Sequence, residues 1–286
     1  MNRMTSLKAF FGWLMVGALV LMLGITALAQ TSDTSPAAPS ASANLPAAAV
    51  PAPPPSASTS SYDWTGFYVG VHVGYGWGNG DTKVAPLPSA ATFVNLLPQT
   101  LHPDPTGIVG GGQVGYNRQW QLLVLGAEAD LSGTGMDGTQ VRSPITQNNN
   151  TPFPGAGNNI RAQQNTSWFG TVRGRVGGTP VPRLLIYGTG GLAFGHVEGS
   201  ANTDFRPVGT EQYPATFSST KVGWVAGGGA EIGIARHWSA KFEFLRYNLG
   251  KETVHAVPVP PLPPFGIDYT WLSEANIFSG GVNYRF

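Results

Sequence analysis

Apolar side chains alternate with small or polar ones along most of the chain after residue 61. In the first such stretch, "WTGFYVGVHVGYGWG", one face carries aromatic residues and valines, and the other carries mainly glycine with a histidine and a tyrosine. A period of two residues predicts a β-strand. Because one face is wholly apolar and the opposite face is small and polar, the pattern is typical of a barrel strand whose outer side faces lipid.

The same alternation recurs, and eight strands are predicted in total. The further strands contain "GIVGGGQVGYNRQ", "LLVLGAEADLS", "TSWFGTVRGRVGG", "LLIYGTGGLAFG", "KVGWVAGGGAEIGIA", "WSAKFEFLRYNLG" and "ANIFSGGVNYRF". Tight turns alternate with long connections, and the long loops are predicted over residues 78–106, 133–165, 197–220 and 250–270. All long loops then lie at one end. The predicted fold is all-β: an eight-stranded antiparallel up-and-down transmembrane β-barrel with a disordered N-terminal tether.

Aromatic residues are expected where strands cross the two interfaces between lipid and water. At the tight-turn end the predicted girdle comprises Trp64, Phe67, Trp120, Trp238, Tyr284 and Phe286. Toward the loop end it comprises Tyr75, Trp77, Trp168, Trp224 and Trp271. The edge of the last strand is predicted to pair with the first strand, because unpaired backbone groups are costly in lipid.

The residues before the barrel divide into two segments. Residues 1–29 contain two early basic residues, a long apolar run and a final "ALA", which together predict a cleaved signal peptide. A membrane-anchoring helix is the alternative for this segment. Residues 30–61 are almost wholly Ala, Pro, Ser and Thr, a composition that predicts a disordered periplasmic linker. The barrel domain is predicted over residues 62–286.

Composition excludes several classes of function. Charged residues make up 11% of the chain, whereas soluble globular domains contain about 25%. The formal net charge of +1 provides no basic patch for nucleic acid. The chain has no cysteine, which excludes disulfides, thiolate metal sites and cysteine nucleophiles.

Eight charged side chains face the barrel interior according to the alternation. They are the acids Glu128, Asp130, Glu231 and Glu243 and the bases Arg173, Arg175, Lys241 and Arg285. An eight-stranded barrel is just wide enough for side chains to fill it. Since unpaired buried charge is costly, the equal numbers predict an internal ion-pair network that closes the lumen, with Tyr68 and Tyr247 adding bulk.

Two motifs with chemical potential have structural explanations. Gly110, Gly112 and Gly115 satisfy G-x-G-x-x-G, but a dinucleotide site needs that motif to open a helix, and here it lies within a predicted strand. The five histidines show no metal-ligand spacing. A lipid-modifying barrel enzyme needs a Ser and His constellation at the lipid interface, and nothing in the sequence places such residues together. We therefore expect no catalytic residues, no metal and no cofactor.

The segments "YDWTGFYVGVHVGYGWG", "GGGQVGYN", "VLGAEADL", "GTVRGRVG", "YGTGGLAFG" and "GGVNYRF" resemble the porin-like family of small outer-membrane proteins. That family includes outer-membrane immunogenic surface antigens and some haemin-binding proteins. The resemblance covers residues 62–286 and implies a structural, surface-exposed barrel in the cell outer membrane. It also implies insertion by the outer-membrane assembly machinery, which recognises a C-terminal strand ending in an aromatic residue, here Phe286.

The predicted topology has further consequences for location and partners. Long loops are expected to be extracellular and both termini periplasmic, with outer-membrane lipid and lipopolysaccharide around the barrel. The linker, which would begin at Gln30, is a candidate for attachment to peptidoglycan. The alternative functions are a haemin receptor using His102 and His255 in the long loops, a small-solute porin, and the lipid-modifying enzyme considered above.

Overall fold

The computed structural model describes residues 62–88, 99–147, 151–152, 157–206, 212–259 and 265–286. The predicted signal peptide and linker lie outside the described residues. The strands are β1 (Gly66–Asn79), β2 (Thr82–Pro86), β3 (Gln99–Leu101), β4 (Thr106–Trp120), β5 (Leu123–Arg142), β6 (Asn159–Val181), β7 (Leu184–Asp204), β8 (Gln212–Gly233), β9 (Trp238–Ala256) and β10 (Ile267–Arg285). None of the described residues forms a helix with the length and hydrophobicity that crossing a membrane would need.

Eight of these strands close into a barrel. β1 and β4 to β10 pair in the order β1-β4-β5-β6-β7-β8-β9-β10, and β10 returns to pair with β1. Every pairing is antiparallel, and Val71 of β1 stands opposite Val282 of β10 at the closure. The predicted eight-stranded antiparallel barrel is therefore confirmed. The short strands β2 and β3 add to the edge of β10 at the loop end, in a segment that the sequence analysis treated as loop.

The barrel strands are longer than predicted. β7 has 21 residues and β6 has 23, so much of the predicted loops 133–165 and 197–220 is strand. β9 likewise continues to Ala256, inside the predicted loop 250–270. Crossing a membrane takes about 9 to 11 residues per strand, so these strands extend well beyond the lipid. The extensions could not be predicted from alternation because their outward faces are mainly polar.

β7 shows how the two parts of the barrel differ. In residues 184–194 the outward positions carry large apolar side chains or glycine, and Leu192 has 60% of its surface exposed. In residues 196–204 the outward positions are all polar, and the inward positions include buried Val197 and Ala201. We call the first part, together with the neighbouring strands at that height, the membrane band. We call the second part the loop-end half.

β-Bulges mark the boundary between these parts. In β6, Thr166 pairs with Val197 and Trp168 with His196, so Ser167 is an extra residue without a register partner in β7. In β9, a register shift relative to β10 coincides with Gly250, which has a φ of 83°. Glycine adopts this backbone conformation without the steric cost of a side chain. Each extra residue exchanges the inward and outward sets of its strand.

The interior holds three layers of buried apolar side chains. The turn-end layer comprises Tyr62, Trp64, Val124, Leu185 and Tyr187. The middle layer comprises Val109, Met136, Phe169, Ala193, Val197, Val225, Leu245, Tyr247, Leu249, Ala275 and Ile277. The loop-end layer comprises Val84, Leu101, Ile145, Ile160, Ala162, Ala201, Phe205, Tyr213, Ala215, Ala256, Ile267, Tyr269 and Trp271. A charged layer lies between the turn-end and middle layers.

Two tryptophans assigned to the lipid-facing girdles lie inside the barrel instead. Trp64 is 1% exposed and Trp271 is not exposed at all. Trp64 precedes β1, and its backbone N–H donates to Oε1 of Gln119 at 2.9 Å, which holds it under the barrel. Trp271 lies on the inward face of β10 in the loop-end half. The prediction for these two residues was wrong because it used position along the chain without the side that each ring faces.

Candidate functional site

Seven charged side chains meet in the lumen between the turn-end and middle layers. They lie on the inward faces of four strands: Glu128 and Asp130 on β5, Arg173 and Arg175 on β6, Glu231 on β8, and Lys241 and Glu243 on β9. Strand register sets their height, since Glu128 stands opposite Arg173 and Glu231 stands opposite Lys241. Each of the seven is at most 8% exposed. We call this set the lumen network.

Glu128 is the centre of the lumen network. Its Oε1 lies 2.5 Å from Nη2 of Arg173 and 3.0 Å from Nζ of Lys241. Its Oε2 lies 3.2 Å from Nη1 of Arg175 and accepts a hydrogen bond from the Tyr68 hydroxyl at 2.6 Å. A buried ion costs several kcal/mol unless it is paired, and Glu128 is paired on every side.

Arg173 joins Glu128 to the other carboxylates of its side of the lumen. Its Nη2 lies 3.0 Å from Oδ2 of Asp130, and its Nη1 lies 3.0 Å from Oε2 of Glu243. Asp130 also accepts a short hydrogen bond from the Thr171 hydroxyl. The Arg173 guanidinium therefore contacts three carboxylates, those of Glu128 and Asp130 on β5 and that of Glu243 on β9.

Arg175 performs the same role on the other side. Its Nη2 lies 2.9 Å from Oε2 of Glu231, and its guanidinium carbon lies 3.9 Å from the centre of the Tyr187 ring. Oε1 of Glu231 accepts hydrogen bonds from Ser239 at 2.5 Å and from Asn283 at 2.8 Å. The network is thus completed by neutral donors as well as by cations.

Arg285 was predicted to belong to this network, and it does not. It lies at the turn-end rim, where its guanidinium carbon is 4.2 Å from the centre of the Tyr62 ring. The lumen network therefore contains four carboxylates and three cations rather than equal numbers. Alternation identifies the side of the sheet on which Arg285 lies but not its depth in the barrel, which is why the prediction failed.

Side chains close the lumen at several heights. In the charged layer, a cavity of about 10 Å³ lies beside His72 and Asp130 and has room for about one water molecule. Below it, the Tyr62 and Trp64 rings contact each other with centroids 4.6 Å apart. Above it, the Phe169 and Tyr247 rings stack with centroids 4.5 Å apart. The predicted filled lumen is what the described residues form.

The structure does not bring His102 and His255 together. His102 follows β3 and its Nδ1 lies 2.6 Å from Oδ1 of Asp81. His255 lies on β9 and its Nδ1 lies 2.7 Å from Oδ1 of Asp268. β10 and β2 separate the two positions in the sheet, and each histidine has its own carboxylate. Haemin binding through these residues stays a prediction.

A serine and a histidine do meet on the outer face of the loop-end half, contrary to the sequence analysis. Nε2 of His196 lies 3.1 Å from Oγ of Ser218 and 3.6 Å from Oε1 of Glu198. In a nucleophilic triad, the acid and the nucleophile contact opposite nitrogens of the imidazole ring. Here both contact the same nitrogen, so the group lacks that arrangement. No cluster of three or more metal-ligating side chains occurs in the part of the chain that the structure describes.

The glycine motif lies within β4, as predicted, and not at the start of a helix. Gly115 stands opposite Tyr68 of β1, and a side chain at Gly115 would collide with the Tyr68 ring. That ring must lie flat across Gly115 for its hydroxyl to reach Glu128. The glycine therefore serves the lumen network.

Comparisons with known proteins agree with this architecture. Residues 35–286 match the family model described as "Outer membrane protein beta-barrel domain". The 31 kDa outer-membrane immunogenic protein of Brucella melitensis is 32% identical over 232 residues, covering 79% of this chain and 85% of that protein. The 22 kDa outer membrane protein of Rhizobium leguminosarum bv. viciae is 33% identical over 136 residues, covering 47% of this chain and 50% of that protein.

Among solved structures, the outer membrane protein OprG from Pseudomonas aeruginosa is similar at 9% sequence identity, with 78% of this chain and 96% of that chain covered and a TM-score of 0.39. This similarity is too low to bear on function. The family model spans most of the chain, and the Brucella protein is related over most of both sequences. The chain therefore belongs to the outer membrane protein beta-barrel domain family and is a surface-exposed outer-membrane β-barrel.

Proposed function

We propose that this protein is a structural barrel whose lumen is closed to solutes and whose loop-end half projects from the cell surface. The observation that carries the closed lumen is the lumen network, in which Arg173 and Arg175 link carboxylates from three strands across the interior. An eight-stranded barrel has no room for an aqueous channel beside such side chains, whereas porins use about 16 to 18 strands. The porin alternative is therefore disfavoured.

Planar-bilayer recording of the folded protein tests the closed lumen. We expect no steady conductance steps, because the ion pairs would have to break before ions could pass. Large, steady steps from the wild-type barrel would contradict the proposal and would favour diffusion of small solutes.

The outward orientation of the loop-end half rests on its surface chemistry. Its exterior is polar and its interior is apolar, which suits water outside rather than lipid, and it extends about 20 to 25 Å past the membrane band. Short turns at the opposite end are typical of the periplasmic side. Lipopolysaccharide would then surround the base of the loop-end half. The Brucella relative is named an immunogenic protein, and the same exposed half would carry surface epitopes here.

Cysteine labelling tests the orientation. Because the sequence contains no cysteine, only the introduced thiol can react with the label. The two variants are Ser200→Cys, on the outward face of the loop-end half, and Arg236→Cys, in the turn between β8 and β9. A membrane-impermeant maleimide should label the Ser200 variant on intact cells. It should label the Arg236 variant only after the outer membrane is permeabilised. The reverse pattern would overturn the orientation.

A further inference from the structure

A cavity of about 480 Å³ opens at the turn end of the barrel. Tyr62, Asp63 and Phe286 line it together with four basic side chains: Arg183, Arg236, His237 and Arg285. Arg183 comes from the turn between β6 and β7, Arg236 and His237 come from the turn between β8 and β9, and Arg285 ends β10. Three separate chain segments thus direct cations into one space, which we call the turn-end pocket.

The arginines of the turn-end pocket lack the carboxylate partners that the arginines of the lumen network have. None of the ion pairs among the described residues includes Arg183, Arg236 or Arg285. Nη1 of Arg285 is screened from solvent and has no hydrogen-bond acceptor in the described part of the chain. Its Nη2 donates only to the Arg236 carbonyl, at 3.4 Å. Three guanidiniums therefore line one space without a direct ion pair, although Asp63 lines it as well.

The negative groups that line the pocket form no ion pair with its arginines. Oδ1 of Asp63 accepts a hydrogen bond from the Thr65 backbone N–H at 2.8 Å. Neither Asp63 nor the backbone carboxylate at Phe286 has an arginine nitrogen within 4.0 Å. Residues 34–61, which precede Tyr62 in the sequence, contain no acidic residue. An anion from outside the chain would therefore satisfy the pocket.

Geometry holds the basic side chains in place. Nδ1 of His237 lies 2.9 Å from the Arg285 backbone oxygen, which fixes the β8–β9 turn against β10. The Arg285 guanidinium stacks on the Tyr62 ring at 4.2 Å. Burial raises the pKa of Tyr62, and the positive fields of Arg285 and Arg183 both oppose that rise, as expected when two guanidiniums approach the same ring.

The pocket lies beside the aromatic girdle of the turn end. Trp238 is 46% exposed and Phe286 is 72% exposed on the lipid-facing side, and the Tyr284 ring contacts both. Such girdles lie at the depth of lipid headgroups. Arginine forks match phosphate oxygens in bidentate geometry. We propose that the turn-end pocket binds the phosphate group of a membrane phospholipid, with the lipid chains against the girdle. The orientation proposed above determines which leaflet supplies the lipid, but the binding itself does not depend on that orientation.

Titration of the full chain, folded in a maltoside detergent, tests this proposal. The probes are dihexanoylphosphatidylglycerol, dihexanoylglycerol without phosphate, and inorganic phosphate. The test variant is R183Q/R236Q, and R118Q is the matched control. Arg118 lies at the same end of the barrel, but its guanidinium stacks on the exterior ring of Trp120 at 5.8 Å. Heat-modifiable gel mobility verifies that each variant is folded.

We expect the wild type and R118Q to bind the phospholipid equally, and R183Q/R236Q to bind it at least about tenfold more weakly, because two charge-assisted contacts are lost. Dihexanoylglycerol should not bind at the site. Equal phospholipid affinity in a folded R183Q/R236Q, or no binding by the wild type, would overturn the proposal. If inorganic phosphate binds as tightly as the phospholipid, the proposal that the bound phosphate belongs to a lipid is wrong. If the proposed orientation is wrong, the cysteine labelling will show it, and the phospholipid affinities will be unchanged.

Discussion

The membrane band and the loop-end half are built from the same strands with opposite chemistry on their two faces. On β7, Leu192 of the membrane band and Ser200 of the loop-end half both point outward, and no bulge separates them. The inward side chains change as well, from the lumen network to a mainly apolar layer around Trp271. The comparison teaches that the medium outside the barrel, lipid or water, determines which face of a strand is apolar.

The two regions are therefore stabilised by different forces. In the membrane band, lipid covers the apolar side chains and the interior is held by buried ion pairs, whose strength depends on complete pairing. In the loop-end half, the interior is stabilised by removing apolar side chains from water, at about 25 cal/mol per Å². Substitutions at matched positions in the two regions should thus have different consequences.

The largest effect is expected from Arg173→Ala combined with Arg175→Ala. Asp130 and Glu231 then lose every cationic partner, and Glu128 keeps only Lys241. The free energy of unfolding should fall by about 5 kcal/mol or more, because removing one partner of a buried pair alone costs about 3 to 5 kcal/mol. Urea unfolding in lipid vesicles measures the change.

Arg246→Ala is the control for this experiment. Arg246 also pairs with a carboxylate, Glu274 at 2.7 Å, but its side chain is 47% exposed. Its loss should cost less than about 1 kcal/mol. A double variant as stable as this control would show that the lumen network does not hold the membrane band together.

Trp271→Ala should produce the next largest effect and should confine it to the loop-end half. The Trp271 ring is fully buried and packs against Phe217 and Tyr269, with centroids 4.9 and 5.8 Å away. Replacing it leaves a cavity that costs about 3 to 4 kcal/mol. Hydrogen exchange should accelerate in the loop-end half of β10 and not at the lumen network. Uniform acceleration along β10 would mean that the two regions unfold as one unit.

The outward face of β7 provides a matched pair of substitutions. Leu192→Arg places a charge in lipid and should destabilise the barrel by about 2 kcal/mol. Ser200→Arg makes the same charge change on the same strand face in water and should have almost no effect. Unfolding of both variants in the same vesicles measures the difference. Equal costs would remove the distinction between the two regions.

The smallest effect is expected from Tyr269→Phe. The Tyr269 hydroxyl lies 2.7 Å from Oγ1 of Thr203 and donates to the Tyr213 carbonyl at 2.9 Å, so its removal should cost about 1 kcal/mol. Burial raises the pKa of Tyr269 above its usual value. A raised pKa in the folded state means that the stabilisation is complete below the unfolded-state pKa, about 10, and falls as the pH rises above it.

Thermal unfolding between neutral pH and alkaline pH checks this last prediction. Wild type should lose stability in the alkaline range more steeply than the Tyr269→Phe variant, which has no phenol to ionise at that position. Identical alkaline profiles would show that Tyr269 does not contribute to the pH dependence of the loop-end half.

The membrane band could be predicted from sequence because lipid imposes an unusual pattern. A wholly apolar outward face repeated over short segments is typical of few other folds, and the same alternation placed Glu128 and Arg173 on the inside. Alternation does not give the height of a side chain along the barrel axis, which is why Arg285 was assigned to the wrong layer. The position of Trp64 depends on a contact with Gln119, 55 residues away, which no local pattern contains.

The loop-end half could not be predicted because its pattern is reversed and interrupted. Its outward residues resemble those of an ordinary polar loop or soluble sheet, and the extra residues at Ser167 and Gly250 break the period of two where β6 and β9 leave the membrane band. A search for continuous alternation stops at such bulges. The strand pairing beyond them comes from tertiary contacts between β6, β7 and β8.

We infer that one continuous strand, β7, passes from lipid into water within the barrel wall. Spin labels on single cysteines at the outward positions 186, 192, 194, 196, 198, 200 and 202 of β7 test it most directly in reconstituted vesicles. Labels at 186, 192 and 194 should be accessible to oxygen and protected from a water-soluble nickel complex. Labels from 196 onward should show the opposite preference, with the change between Phe194 and His196. Oxygen preference along the whole of β7, or nickel preference along the whole of it, would contradict the claim.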